Sequence, residues 1–153
     1  MQRLALAVAS GLAMWLAFPS HSFWVLAPIG VAMLALAMRG ASPWQGALLG
    51  LVGGLACFLP LLSWSGVYVG AAPWIALATL ESAYIAVLGL VCALLQRSPS
   101  RTGVARVRPV AVALAWVTEE ALRDTTPFGG FPWGRLAFSQ ADSPLAGLAS
   151  LGG

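Results

Sequence analysis

The stretch "GASPWQGALLGLVGGLACFLPLLSWSGVYVGAAPWIALATL", residues 40–80, contains no Asp, Glu, Lys or Arg. A bilayer crossing takes ~20 apolar residues, so the stretch is long enough for two, with "SWSGVYVGAAP" as the turn between them. The region before it behaves alike, since Leu4 to Met38 is also free of charge. With 59% hydrophobic residues, 8% charged and a mean hydropathy of +0.86, the chain lies outside the range of soluble domains. These features predict an all-α integral membrane protein, a polytopic helical bundle.

Working outward, the breaks divide the chain into five spans and a partial sixth. The first runs over 4–18 and stops at Pro19 and a "PSHS" turn, where Ser20 or Ser22 is available to cap the next helix. A basic start before an apolar run also fits a secretory signal, but no small-x-small cleavage site follows. The second span covers 23–38 and ends at "RGASP". The third covers 44–64, where Gly46, Gly50 and Gly54 form a small-residue face of the kind that lets helix backbones approach in lipid. The fourth covers 74–95. Residues 96–109 form a hydrophilic linker, 109–125 the fifth span, and 126–142 a loop. A partial sixth span, 143–153, is about half a crossing, so residues 1–153 read as the N-terminal transmembrane domain of something longer.

All eight basic residues are arginines. With the N-terminus cytoplasmic, Arg3, Arg39, Arg97, Arg101, Arg106 and Arg108 fall inside and only Arg123 and Arg135 outside, as the positive-inside rule requires. The 126–142 loop then faces the extracytoplasmic side. The arginines flank spans and make no dense basic stripe, which argues against nucleic acid. Cys57 and Cys92 lie at different depths of neighbouring spans and read as unpaired, buried small residues.

Few residues carry chemistry. There is one histidine, His21, in a turn without a partner ligand, so no metal site is expected. Glu81 lies inside the fourth span, where an ionisable group faces protein or a water-filled cavity; a transport role would rest on it and on the glycine-rich third span. In "WVTEEALRD", residues 116–124, Trp116, Glu120 and Arg123 share a helix face, so Glu120 can pair with Arg123 under the indole, and Glu119 also reaches Arg123 at i+4. The loop that follows is shaped by Gly129 and Gly130. Phe131-Pro132-Trp133 makes an aromatic corner, and Asp142-Ser143-Pro144 is placed to cap a returning helix.

"WxxxExLR" (Trp116, Glu120, Leu122, Arg123), "GFPW" (Gly130 to Trp133) and "SQxDxPLxGLA" (Ser139 to Ala149) together resemble the transmembrane N-terminal region of apolipoprotein N-acyltransferase. "LAFPSHSFWVLAPIGVAMLALAM" resembles that family's first hairpin. The resemblance implies an eight-helix membrane domain joined to a nitrilase-like domain, whose Glu-Lys-Cys triad takes an acyl chain from a phospholipid and passes it to the diacylglyceryl-cysteine of an apolipoprotein. It implies no cofactor. None of the triad can be placed here, because the chain has no lysine and both cysteines lie in spans. The nitrilase-like domain would come in cis or in trans, and the present residues would be inactive alone. Glu120, Arg123, Phe131, Pro132 and Trp133 carry over as shapers of the substrate entrance. A second reading is a membrane anchor for a polyprenol-phosphate mannosyltransferase, to which some actinobacterial relatives join a domain of this type.

Overall fold

The computed structural model describes residues 1–97 and 105–152, so Arg101 and the middle of the hydrophilic linker lie outside the described residues. Among the described residues there are helices and no strand. In chain order they are α1 (Gln2–Ala17), α2 (Leu26–Met38), α3 (Pro43–Leu61), α4 (Ser63–Val69), α5 (Ala71–Leu95), α6 (Pro109–Arg123) and a short α7 (Ala149–Gly152), with 3-10 turns at Leu136–Gln140 and Ala146–Leu148. Two helices, α3 with 19 residues and α5 with 25, are long and apolar enough to cross a membrane, and α1 and α2 are shorter apolar helices.

Local chemistry sets most of the boundaries. Ser42 and Gln45 build a reciprocal cap at the start of α3. Ser42 Oγ accepts from the Gln45 amide at 3.3 Å, and the Ser42 amide donates to Gln45 Oε1 at 3.1 Å, with Pro43 in the first turn where its missing N–H costs nothing. At the other end, Pro60 lies one residue before the close of α3. The Leu59 carbonyl, in that last turn, accepts from Trp74 Nε1 at 2.9 Å, an indole serving a helix-end acceptor.

Glycine decides how closely the central helices pack. Gly46, Gly50 and Gly54 on α3 face Gly89, Ile85 and Ser82 on α5, and a Cβ at Gly46 or Gly50 would collide with the carbonyl of Gly89 or Ile85. On its other side α3 meets α1, where a Cβ on Gly11 would strike the Gly53 carbonyl. The α3 helix is therefore the centre of the bundle, with α1 and α5 on its flanks and α2 behind α1. Ala7, Met14, Leu34, Leu49, Phe58, Ile85, Leu88 and Trp116 fill the shared core. The α6 helix is the outlier. It packs against α5, and an apolar groove of about 770 Å³ separates it from α2.

The loops gather at two ends. Phe18, Leu61, Trp64 and Trp133 line one cavity of about 200 Å³, while at the opposite end Gly40 lies against Ala105 and Gln96 Nε2 donates to the Ala35 carbonyl at 3.2 Å. Arg3, Arg39, Arg97, Arg106 and Arg108 are exposed around that second end, whereas Arg123 and Arg135 belong to the first.

Several local expectations need correction. The third span stops at Leu61 instead of continuing to 64, and the expected turn contains α4, because Pro60 ends one helix and Ser63 and Ser65 restart another by donating to the Pro60 and Leu62 carbonyls. Neither Ser20 nor Ser22 caps α2; both adopt positive φ (118° and 58°) in the turn, and Ser20 Oγ instead contacts His21 Nδ1 at 3.0 Å. No continuous helix starts at Ser143. Its hydroxyl accepts from the Leu145 amide at 3.1 Å, and the chain proceeds as a 3-10 turn before α7.

Candidate functional site

The last turn of α6 is where most of the polar chemistry collects. Arg123 and Glu81 are each 1% exposed, and Arg123 Nη1 donates to Glu81 Oε2 at 2.8 Å. The same Nη1 donates to the Trp133 carbonyl, also at 2.8 Å. Arg123 Nε lies 3.2 Å from Glu119 Oε1, close enough for an ion pair though not aligned as a hydrogen bond. The guanidinium carbon sits 5.3 Å from the centre of the Phe58 ring on α3, within cation–π range. One side chain thus joins α3, α5, α6 and the loop after α6.

Burying such charges is expensive, and a pair is retained only when geometry and further hydrogen bonds compensate. Here the compensation is specific. Nη1 alone donates to a carboxylate and a backbone carbonyl, while the planar guanidinium also sets Nε beside Glu119 and its carbon near the Phe58 ring, a combination that a lysine ammonium lacks. Removing either partner would strand the other in a site without water access.

Glu120 works differently from its expected role. It does not pair with Arg123 among the described contacts. Its Oε1 accepts from Trp116 Nε1 at 3.2 Å and from the Leu136 amide at 2.8 Å. The helix spacing brought Trp116 to Glu120 as expected, but Arg123 turns to α5, where Glu81 offers a desolvated carboxylate, and Glu120 turns to the loop. The expected Glu119–Arg123 contact is present.

These ties position the loop. Phe131 donates its amide to the Arg123 carbonyl at 3.0 Å, and Arg135 Nε lies 3.2 Å from Asp124 Oδ2. Gly130 is required by both its φ of +79° and its packing, since a Cβ would collide with the Asp124 carbonyl. Phe131 packs onto the core, Pro132 is exposed, and Trp133 is 55% exposed with its ring 5.7 Å from that of Trp64. Further along, Gln140 Nε2 donates to the Trp24 carbonyl at 3.2 Å, tying the loop to the start of α2. The expected site residues Glu120, Arg123, Phe131, Pro132 and Trp133 therefore fall in one neighbourhood, and Glu81 joins them from α5.

Glu81 is the residue that the local motif could not supply, because its partner lies 42 positions away. Its signal was its depth: a carboxylate in an apolar span calls for a cation, and Arg123 and Arg135 are the two arginines at its end of the bundle. The arrangement is suited to holding shape. Cys57 and Cys92 are buried and free, and among the described residues no group of His, Cys, Asp and Glu could hold a metal ion.

Comparison with known proteins agrees with the motif. The family described as "Apolipoprotein N-acyltransferase N-terminal domain" matches residues 10–153. The apolipoprotein N-acyltransferase of Mycolicibacterium smegmatis is 40% identical over 152 residues, which is 98% of this chain and 24% of the relative. Those of Photobacterium profundum and Pseudomonas putida are 33% and 36% identical, each over 97% of this chain and 30% of the relative. The chain thus spans about a quarter to a third of the length of the curated relatives it matches. On this match along nearly all of its length, the chain belongs to the apolipoprotein N-acyltransferase family.

Proposed function

We propose that this chain is the N-terminal membrane domain of an apolipoprotein N-acyltransferase. It would contribute the lipid-facing part of an enzyme that moves an acyl chain from a phospholipid to the N-terminal diacylglyceryl-cysteine of a lipoprotein. The observation that carries this reading is the tied loop at the outer end of the bundle, where residues of the family-like motif converge on Arg123. In this reading α1, α2, α3, α5 and α6 cross the inner membrane, with the N-terminus cytoplasmic. The segregation of exposed arginines to the opposite end supports that orientation.

Glu120, Arg123, Phe131, Pro132 and Trp133 shape the entrance through which phospholipid and lipoprotein arrive. Trp133, half-exposed beside Trp64, gives an amphipathic surface suited to the headgroup level. The chemistry itself belongs to a nitrilase-like domain supplied in cis or in trans, and residues 1–153 alone are inactive.

The test is a chimera. The chain replaces the matching N-terminal quarter of the Mycolicibacterium smegmatis relative and is expressed in a strain depleted of its own N-acyltransferase, beside the 153-residue chain alone. Restored growth and lipoprotein N-acylation by the chimera only is the expected result. A chimera that inserts and folds yet acylates nothing would sink the reading. Labelling of single cysteines placed at Gly40 and Phe128 from either side of the membrane tests the orientation.

A further inference from the structure

The pairing of Glu81 with Arg123 leads beyond the motif residues. Four ties hold the 131–136 segment of the loop to the end of α6: the Arg123 guanidinium on the Trp133 carbonyl, the Arg123 carbonyl on the Phe131 amide, Glu120 on the Leu136 amide, and Asp124 on Arg135. All four start from residues 120–124 of one helix end, so by themselves they set the loop relative to α6 alone. Arg123 continues to α5 through Glu81; the loop also meets α5 where the Tyr84 and Thr126 hydroxyls pair at 2.9 Å, ahead of that segment, and rests on α3 where Gly134 lies against Phe58 and Leu61.

The α6 helix itself is thinly held, with the 770 Å³ groove on one side and a second apolar groove of about 520 Å³, lined by α5 and α6, on the other. Between these grooves its inward residues Val112, Trp116, Glu119 and Arg123 seat it against the bundle, and Arg123 is the one at its very end. Glu81, by contrast, belongs to α5, whose position is imposed by the glycine seam with α3. Ser82, the next residue, lies against Gly54 in that seam.

We propose that Glu81 is a positioning residue: through Arg123 it transfers the position of the rigid α3–α5 pair to the Phe131–Leu136 segment, and so sets where Trp133 stands at the outer end. Among the described residues no hydrogen bond or ion pair joins the loop to Glu81 directly, so its effect travels through one guanidinium nitrogen. The role given to that segment rests on the acyltransferase reading, but the mechanical coupling does not.

The experiment is amide hydrogen exchange on the 153-residue chain in lipid nanodiscs, comparing wild type with Glu81→Gln and Arg123→Lys. The expected result is exchange faster by about tenfold or more in residues 129–136, the scale of one charge-assisted hydrogen bond, with the α3 and α5 amides unchanged. Unchanged exchange in 129–136 in both variants overturns the proposal. So does uniform acceleration of every helix, or failure of both variants to fold, because the pair would then be a general support for the bundle. If only one variant folds, the other is set aside and the folded one decides. As the readout is independent of acylation, a failed chimera with a positive exchange result rejects the enzyme reading and leaves the coupling standing.

Discussion

The α3–α5 seam and the end of α6 solve the same problem, joining helices in an apolar setting, by opposite means. In the seam, side chains are removed: Gly46, Gly50 and Gly89 bring backbones so close that a single added carbon would collide with a carbonyl. At the end of α6, side chains are added, and a guanidinium reaches across to Glu81, Glu119, Phe58 and the Trp133 carbonyl. Close packing is non-directional and gives a rigid pair. A charged cluster is directional, and it is sensitive to the loss of any one member. A rigid seam beside a directional joint is what a platform needs if it is to hold a loop in one place.

The sharpest way to break this contrast is to remove one charge. Arg123→Ala is expected to cost about 3–5 kcal/mol, because it leaves Glu81 buried without a counter-ion, measured by denaturant titration in micelles followed by circular dichroism. The triple variant Glu81→Leu, Glu119→Leu and Arg123→Met, which removes both buried partners of the guanidinium, should restore most of that stability while leaving the Trp133 carbonyl unbound. If the triple variant were as unstable as the single one, charge pairing would not be the feature that matters.

In the seam, Gly50→Val is expected to cost about 1–3 kcal/mol or more through overpacking against the Ile85 carbonyl, read by the same titration. A loss of less than ~0.5 kcal/mol would mean that the α3–α5 approach is softer than its geometry indicates.

Smaller effects test the periphery of each region. Ser42→Ala removes the cap of α3 and should cost about 1 kcal/mol, without changing exchange in residues 129–136. Arg135→Ala should cost less than ~1 kcal/mol, since Arg135 is 45% exposed and its pair with Asp124 is solvated. An Arg135→Ala effect as large as that of Arg123→Ala would move the anchor of the loop from the buried pair to the surface pair.

The sequence by itself determined the helical class, the approximate extents of α1, α2, α3, α5 and α6, the glycine face of α3 and the separation of arginines between the two ends. Those features follow from runs, breaks and i,i+4 spacings, all of which are local. It also brought Trp116 to Glu120 and Glu119 to Arg123, again at i+4. Only the tertiary structure decided that Arg123 leaves Glu120 for Glu81, that Glu120 holds the Leu136 amide, and that the chain after Ser143 forms turns instead of one helix. The reason is physical. A buried charge goes to whichever opposite charge the packing places in the same dry space, and that neighbour is chosen by how α5 and α6 lie against each other, not by distance along the chain.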